Sequence, residues 1–290
     1  MRVLLTGARG MLGQALADSV PEGVQLLPTD LTELDITHAA AVEAKLASAA
    51  PDALLNAAAY TAVDACETDE SAALAVNGLA PGLLARACAA RGIPLLHVST
   101  DYVFDGNPPG GRPWREDDAT GPLSAYGRTK LAGERSVRAV SAAHWIVRTQ
   151  WLYGLGGKNF VETILALGAE RDALTVVDDQ FGSPTSTHTL APLLWELLTR
   201  RPAYGTYHAV NSGSCSWHGF ARAITDAAGL PVRVDPMTSA QLKRPAPRPA
   251  RSVLDTSRLC AALGHSISTW QEGLSDYLAR RAVQKDAPPS

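Results

Sequence analysis

Residues 2–13 of this 290-residue chain, RVLLTGARGMLG, join a short apolar run to three closely spaced glycines, Gly7, Gly10 and Gly13. The glycines lie where the apolar run gives way to an amphipathic stretch. Glycine lets a backbone turn tightly and approach a pyrophosphate, and the free N–H groups of a helix N-terminus favour negative charge. The stretch therefore predicts a strand–turn–helix unit that binds a dinucleotide, and a plain turn between strand and helix is the alternative.

The rest of the chain extends this pattern. Strands are predicted at 3–5, 24–27, 53–56, 95–99 and 145–148, and helices at 11–20, 38–49, 70–91 and 126–140. Strict alternation predicts an α/β fold, a Rossmann-type doubly wound parallel sheet that binds ligands beyond the carboxyl ends of its strands. Later helices at 159–170, 188–200, 217–228 and 270–281, with a strand at 174–177, are less regular. We expect a dinucleotide-binding domain over 1–150 and a smaller C-terminal lobe over 151–290, mainly substrate-binding and partly interleaved with the first.

Composition excludes several classes of protein. Lys and Arg number 26 against 29 Asp and Glu, so the net charge of −3 provides no basic face for nucleic acid. No apolar run approaches the ~18 residues that span a bilayer, which predicts no membrane association. The four cysteines form no CxxC pair and there is no HExxH motif. The spacing of the cysteines predicts buried free thiols in a reducing cytosol, and the two missing motifs predict no metal site. We therefore expect a cytoplasmic enzyme.

Polar residues follow several predicted strands. Asp30, seventeen residues past Gly13, is placed to accept both adenosine ribose hydroxyls and repel a 2′-phosphate; the alternative is a turn residue. The small residues of 56–64, NAAAYTAVD, leave room for a flat ring, although close packing also favours alanine. Thr100, in the 99–106 string STDYVFDG, presents a hydroxyl to a substrate carbonyl or simply closes a turn.

Tyr126 and Lys130 lie four residues apart on one predicted helix face. An ammonium close to a phenol favours the phenolate and lowers the tyrosine pKa, which suits a general acid or base. Such pairs also occur by chance on surface helices. After a glycine loop, an acidic residue and a Ser/Thr strand end, in that order, the pair predicts an oxidoreductase site.

Taken together, these motifs resemble the extended short-chain dehydrogenase/reductases and, among them, the dTDP-4-dehydrorhamnose reductase family. The resemblance runs from residue 1 to about 281. The strings that narrow it to that family are 56–64, 99–106, 126–134 (YGRTKLAGE), 157–161 (GKNFV), 177–185 (VDDQFGSPT) and 245–249 (PAPRP).

The resemblance implies hydride transfer from NAD(P)H to C4 of a 4-keto-6-deoxy sugar nucleotide, dTDP-4-dehydro-L-rhamnose. It implies that Tyr126 is the proton donor, that Lys130 is its partner and that Thr100 polarises the keto oxygen. The implied cofactor contacts are Gly7, Gly10, Met11, Leu12, Gly13, Asp30, Asp35, Ile36, Ala59, Tyr60, Thr61, Tyr126 and Lys130. The implied sugar-nucleotide contacts are Val63, Thr100, Asp101, Tyr102, Tyr126 and Trp151. A 4-ketoreductase of another dTDP-deoxysugar pathway and a non-catalytic binding homologue remain alternatives.

Two departures from the family pattern lead to further expectations. Leu31 stands where the family commonly has an arginine that pairs with the NADP 2′-phosphate, so NADH is expected to be favoured. Residues 186–192, STHTLAP, contain no acid, so a Mg²⁺-bridged dimer is doubtful and a monomer or weak homodimer is expected.

Two further residues have open interpretations. Arg248, in the basic stretch 243–251, is placed either to bind the substrate pyrophosphate or to lie in a solvated, proline-stiffened loop. Trp151 either stacks on the substrate or forms a wedge between the two lobes.

Overall fold

The computed structural model describes residues 1–286. Its strands are β1 (Arg2–Thr6), β2 (Gln25–Thr29), β3 (Ala53–Asn56), β4 (Leu95–Thr100), β5 (His144–Thr149), β6 (Leu152–Tyr153), β7 (Ala173–Val177), β8 (Phe181–Gly182), β9 (Thr185–Ser186), β10 (Gly205–His208), β11 (Cys215–Ser216) and β12 (Arg233–Met237). Its α-helices are α1 (Met11–Asp18), α2 (Ala39–Ala49), α3 (Val63–Cys66), α4 (Glu70–Leu74), α5 (Ala80–Ala89), α6 (Ala125–Val140), α7 (Phe160–Glu170), α8 (Thr187–Arg200), α9 (Trp217–Ala227), α10 (Ser239–Leu242), α11 (Ser257–Leu263) and α12 (Trp270–Asp286).

The central sheet has six parallel strands in the order β10-β5-β4-β3-β1-β2. All four residues of β3 are buried, as expected for a strand covered on both faces. One apolar core contains α1 and α8, with Leu16 and Trp195, and a second contains α2 and α5, with Leu46 and Leu84. The predicted Rossmann-type α/β fold is therefore confirmed.

The strand order also places the ligand crevice. β2 lies on one side of β1 and β3 lies on the other, so the chain reverses its direction across the sheet at β1. The loops that follow β1 and β3 are neighbours at this point of reversal, which is called the switch point. Open α/β sheets bind ligands at such a switch point. The glycine loop after β1 and the alanine-rich loop after β3 both lie there.

The second half of the chain builds a smaller assembly and returns to the first sheet. β7 and β12 pair in parallel, and α7, α9 and α12 share a core that includes Tyr153, Phe220 and Tyr277. β10 joins the edge of the central sheet beside β5. Sequence analysis missed β10 because two of its residues are polar: Thr206 accepts a hydrogen bond from Arg138, and the Glu116 carboxylate accepts one from the His208 N–H.

The predicted helix 70–91 is divided into α4, a π-helical turn (Ala75–Leu79) and α5. The π-helical turn contains the buried Asn77, whose side chain bonds the backbone of Tyr60. Glu70–Ala89 is also long and apolar enough to cross a membrane, contrary to the expectation from apolar runs. More than half of that window is buried inside the fold, as in many core helices, so it is weak evidence for a span.

All four cysteines are free. Cys66 and Cys88 are buried, whereas Cys215 and Cys260 are partly exposed, so the expectation of four buried thiols is wrong for two of them. Within residues 1–286, no group of three or more His, Cys, Asp or Glu side chains is arranged to hold a metal ion.

Candidate active site

The glycine loop forms one wall of a cavity of about 710 Å³ at the switch point, here called the first cavity. Gly7 has a φ of +77°, and a Cβ there would lie 2.6 Å from the Ala58 nitrogen, so only glycine fits. Gly10 occupies the N-cap of α1 and supplies no side chain to cap it. The N–H groups at this helix end are therefore available to an anionic ligand.

One end of the first cavity is acidic. Asp30 accepts hydrogen bonds from the Arg9 N–H and the Leu31 N–H, both at 2.8 Å, which fixes its carboxylate beside the glycine loop. Asp35 accepts from the Thr37 hydroxyl and N–H, and these hydrogen bonds lower the pKa of Asp35. Among the described residues that line the cavity, Lys130 is the only basic one, and it lies with Tyr126 in α6.

The loop after β3 is held by two buried asparagines. Asn56 Oδ1 accepts from the Thr6 hydroxyl (2.7 Å) and the Ala58 N–H (3.1 Å). Asn77 accepts from the Tyr60 N–H at 2.8 Å and donates to its carbonyl at 2.9 Å. Sequence analysis missed Asn77, although a buried polar residue in an otherwise apolar helix is a usable signal.

Thr100 and Tyr126 meet because α6 begins directly against the short 3₁₀ turn Asp101–Val103. A Cβ on Gly127 would lie 2.3 Å from the Tyr102 carbonyl oxygen, so glycine permits this close approach. The Tyr102 and Tyr126 rings pack edge to face, 5.5 Å apart between centroids. The Thr100 hydroxyl lowers the pKa of Tyr126, which places the two hydroxyl groups close together. The geometry thus brings the predicted acid and the predicted polarising hydroxyl together.

The pKa of Tyr126 differs in direction from the one that its spacing from Lys130 predicted. Burial raises the pKa of Tyr126, opposed by the Thr100 hydrogen bond, so the expectation of a lowered tyrosine pKa is wrong for this structure. The Lys130 ammonium is buried and donates to the Val98 carbonyl at 2.7 Å. Burial lowers the pKa of Lys130 to about 8, with Glu134 opposing. The phenol therefore stays protonated at neutral pH, as a proton donor requires.

Asp101 is a buried carboxyl group beside Thr100. Its exposed fraction is 1%, and the Thr100 hydroxyl donates to its Oδ1 at 3.1 Å. Burial raises the pKa of Asp101 to about 7, opposed by hydrogen bonds from Ser252 and Thr100.

A second cavity, of about 930 Å³, lies between α7, the β7/β12 pair and the segment 243–248. Its basic lining residues are Arg171, Lys243, Arg244 and Arg248, and none of its described lining residues is acidic. Tyr102 and Trp217 line both cavities, so the two meet beside Thr100 and Tyr126.

Arg248 is anchored, although most residues of the stretch 243–251 are exposed. Its guanidinium donates to both carboxylate oxygens of Asp64, at 2.8 and 3.0 Å, and its side chain is only 12% exposed. Arg244 lies 3.7 Å from the same carboxylate. Asp64 thus ties segment 243–248 to α3, so the Arg248 side chain is held in place within a largely exposed loop.

Trp151 contacts the second lobe through Trp217, whose ring stacks on it with centroids 3.6 Å apart and planes at 12°. Trp151 has a φ of +47°, an unfavourable backbone conformation for a bulky residue and one that tends to occur at functional sites. This contact supports the wedge interpretation, and stacking on substrate stays a prediction. Sequence analysis missed Trp217.

The predicted site residues, apart from Arg248, all line the first cavity, and Arg248 lines the second. The first-cavity set is Gly7, Gly10, Met11, Leu12, Gly13, Asp30, Asp35, Ile36, Ala59, Tyr60, Thr61, Val63, Thr100, Asp101, Tyr102, Tyr126, Lys130 and Trp151. Of the predicted site residues, only Arg248 and Tyr102 line the second cavity. Its walls include Phe160, Thr163, Leu167, Val177 and Met237.

A parallel sheet, a glycine loop and a Tyr/Lys pair at its switch point define an extended short-chain dehydrogenase/reductase. The model of one family, the RmlD substrate binding domain, matches residues 1–283, and the chain belongs to that family. It is 46% identical over 282 residues to a dTDP-4-dehydrorhamnose reductase from Streptomyces griseus, covering 95% of this chain and 92% of the relative.

Two further comparisons bear on cofactor and substrate. A dTDP-4-dehydrorhamnose reductase from Bacillus anthracis, solved in complex with NADP, superposes with a TM-score of 0.92 at 36% identity, over 96% of this chain and 99% of that one. A probable dTDP-4,6-dihydroxy-2-methyloxan-3-one 4-ketoreductase from Streptomyces antibioticus is 42% identical, covering 95% of this chain and 94% of the relative.

Proposed function

We propose that this chain reduces the C4 keto group of dTDP-4-dehydro-L-rhamnose to dTDP-L-rhamnose, with a reduced nicotinamide cofactor. The observation that carries the proposal is the position of Thr100, Tyr126 and Lys130, at the meeting point of a glycine-lined cavity and a basic one. The relatives named as dTDP-4-dehydrorhamnose reductases support the same substrate.

The first cavity fits a dinucleotide. Its close backbone approach at Gly7 and the uncapped start of α1 suit a pyrophosphate, and Asp30 suits the adenosine ribose. When bound, the cofactor supplies the hydride. Lys130 has donors beyond the one used by Val98 and would hold the nicotinamide ribose.

Proton transfer then depends on the chain's own residues. The Thr100 hydroxyl, which donates to Asp101 in the structure, would turn to donate a hydrogen bond to the keto oxygen and orient it. The protonated Tyr126 phenol then delivers its proton to that oxygen as negative charge develops there. Tyr126 is half-buried beside Thr100, so little water competes for the forming alkoxide.

The second cavity would hold the nucleotide. Its arginines and lysine suit the pyrophosphate, and its apolar wall formed by α7 and β7 suits the base. We therefore assign cofactor binding mainly to 1–150 and substrate binding mainly to 151–290. A cytoplasmic location, no nucleic-acid partner and a monomer or weak homodimer remain our predictions.

The test compares kcat/KM for NADH and NADPH oxidation with dTDP-4-dehydro-L-rhamnose and with the keto sugar of the Streptomyces antibioticus relative. A preference of tenfold or more for the latter would favour the alternative, a ketoreductase of another deoxysugar pathway. The absence of turnover with either sugar would favour a non-catalytic homologue, although Tyr126 and Lys130 are both present.

A further inference from the structure

Arg9 is a cation that lies next to the acidic end of the first cavity without lining it. Its backbone N–H donates to Asp30, which places it beside the predicted adenosine ribose site. Its guanidinium does not face that site freely, because it pairs with Glu33. The charged or titratable groups around this end are Arg9, Asp30, Glu33, Asp35 and His38.

Glu33 is held in place by the turn that follows β2. The Glu33 N–H donates to the Asp30 carbonyl at 2.9 Å, and Glu33 Oε2 accepts from the Asp30 N–H at 3.0 Å. The other carboxylate oxygen, Oε1, accepts from Arg9. Hydrogen bonds from Thr32 and the Asp30 backbone, with the charge of Arg9, lower the pKa of Glu33, so it is ionised at neutral pH.

We propose that Glu33 is a specificity-determining residue that disfavours NADPH by holding the Arg9 guanidinium away from a 2′-phosphate. The proposal rests on the nicotinamide cofactor of the proposed function. With Arg9 neutralised by Glu33, the carboxylates of Asp30 and Asp35 leave this end negative, and a dianionic phosphate there meets like charge. Leu31, 71% exposed at the same turn, supplies no cation.

The expected effect is moderate because the pair is exposed. The side chains of Arg9 and Glu33 are 65% and 42% exposed, so their ion pair is weak and water screens it. Glu33→Gln removes the charge that pairs with Arg9, and the amide oxygen can still accept a hydrogen bond from the Asp30 N–H. Glu33→Gln should therefore raise the relative affinity for a 2′-phosphorylated nucleotide by about fivefold.

Calorimetric titration tests this without turnover. Adenosine 5′-monophosphate and adenosine 2′,5′-bisphosphate are titrated into wild type, Glu33→Gln, Glu22→Gln and the double variant Arg9→Gln/Glu33→Gln, with NADH and NADPH in parallel. Glu22 is an exposed carboxylate in the loop before β2, at the opposite end of that strand, so Glu22→Gln is a control for net charge. The measured quantity is the affinity for the 2′-phosphorylated nucleotide divided by the affinity for its counterpart without the 2′-phosphate. We expect this ratio to rise about fivefold in Glu33→Gln, and to change less than twofold in Glu22→Gln and in the double variant.

Three outcomes would overturn the proposal. In the first, the affinity ratio of Glu33→Gln stays within twofold of the wild-type ratio. In the second, Glu22→Gln shifts the ratio as much as Glu33→Gln does. In the third, the full shift persists in the double variant, which would exclude Arg9 as the cation that binds the 2′-phosphate. If wild type binds NADH and reduces the sugar, any of these outcomes removes only the role of Glu33. If wild type binds neither reduced cofactor, the cofactor assignment itself fails.

Discussion

The two cavities differ in how the chain builds them. The first is formed mainly by loops that follow neighbouring strands, so much of its wall corresponds to short continuous motifs: the glycine loop, 57–61, 99–102 and the start of α6. The second combines α7, β7, β12 and segment 243–248, which are distant in sequence and are joined by contacts such as Asp64–Arg248. Local motifs therefore predict most of the first cavity, whereas the second cavity depends on tertiary contacts.

The largest effect should come from Tyr126→Phe, which removes the proposed proton donor at the junction of the cavities. We expect kcat to fall by ~10²–10⁴-fold while cofactor affinity changes little, because phenylalanine keeps the ring and leaves the cofactor pocket in place. Steady-state kinetics and NADH titration measure both quantities. The partly exposed Tyr204 provides the control Tyr204→Phe. Retention of more than about a tenth of wild-type kcat would assign the proton to another residue.

The pH dependence of kcat tests the same junction through Lys130. Burial disfavours the charged ammonium, so it loses its proton as the pH rises through about 8. The pKa of Tyr126 is raised, so the phenol stays protonated over this range. We expect kcat to fall above pH 8, by about tenfold for each further pH unit. A profile that is flat from pH 7 to 9.5 would show that the charge of Lys130 is not required.

Asp64→Asn tests the second cavity alone. It weakens the two hydrogen bonds that hold Arg248, so segment 243–248 should be less ordered in the free enzyme. Binding of the sugar nucleotide must then order this segment, which costs affinity. We expect KM for the sugar nucleotide to rise by about three- to tenfold, with kcat and the cofactor KM unchanged. Asp52→Asn is the control, because Asp52 accepts from the Arg2 N–H at the far end of the sheet. An equal rise in cofactor KM would contradict two separable cavities.

The smallest effect concerns cofactor choice at the acidic end of the first cavity. Wild type should use NADH at least as well as NADPH, because the described cavity lining near Asp30 contains no cation. Leu31→Arg should shift kcat/KM towards NADPH by about fivefold. A wild type that favours NADPH tenfold or more, about 1.4 kcal/mol, would mean that other residues hold the phosphate.

The limits of sequence analysis follow from the same difference between the cavities. The spacing of Tyr126 and Lys130 predicted a shared helix face, but their electrostatics depend on burial and on the Val98 carbonyl, which no spacing reveals. Asn77 and Trp217 were missed because each acts on a residue far away in sequence, Tyr60 and Trp151. β10 was missed because its polar residues are buried with partners from other elements.

Deuterium transfer tests most directly the claim that both cavities serve one reaction at Thr100 and Tyr126. NADH deuterated at the transferable position of C4 is incubated with dTDP-4-dehydro-L-rhamnose and the enzyme, and the product is analysed by NMR. We predict a single product, dTDP-L-rhamnose, with deuterium at sugar C4 and none at C3 or C5. An unlabelled product, deuterium at another carbon, or the C4 epimer would contradict the account.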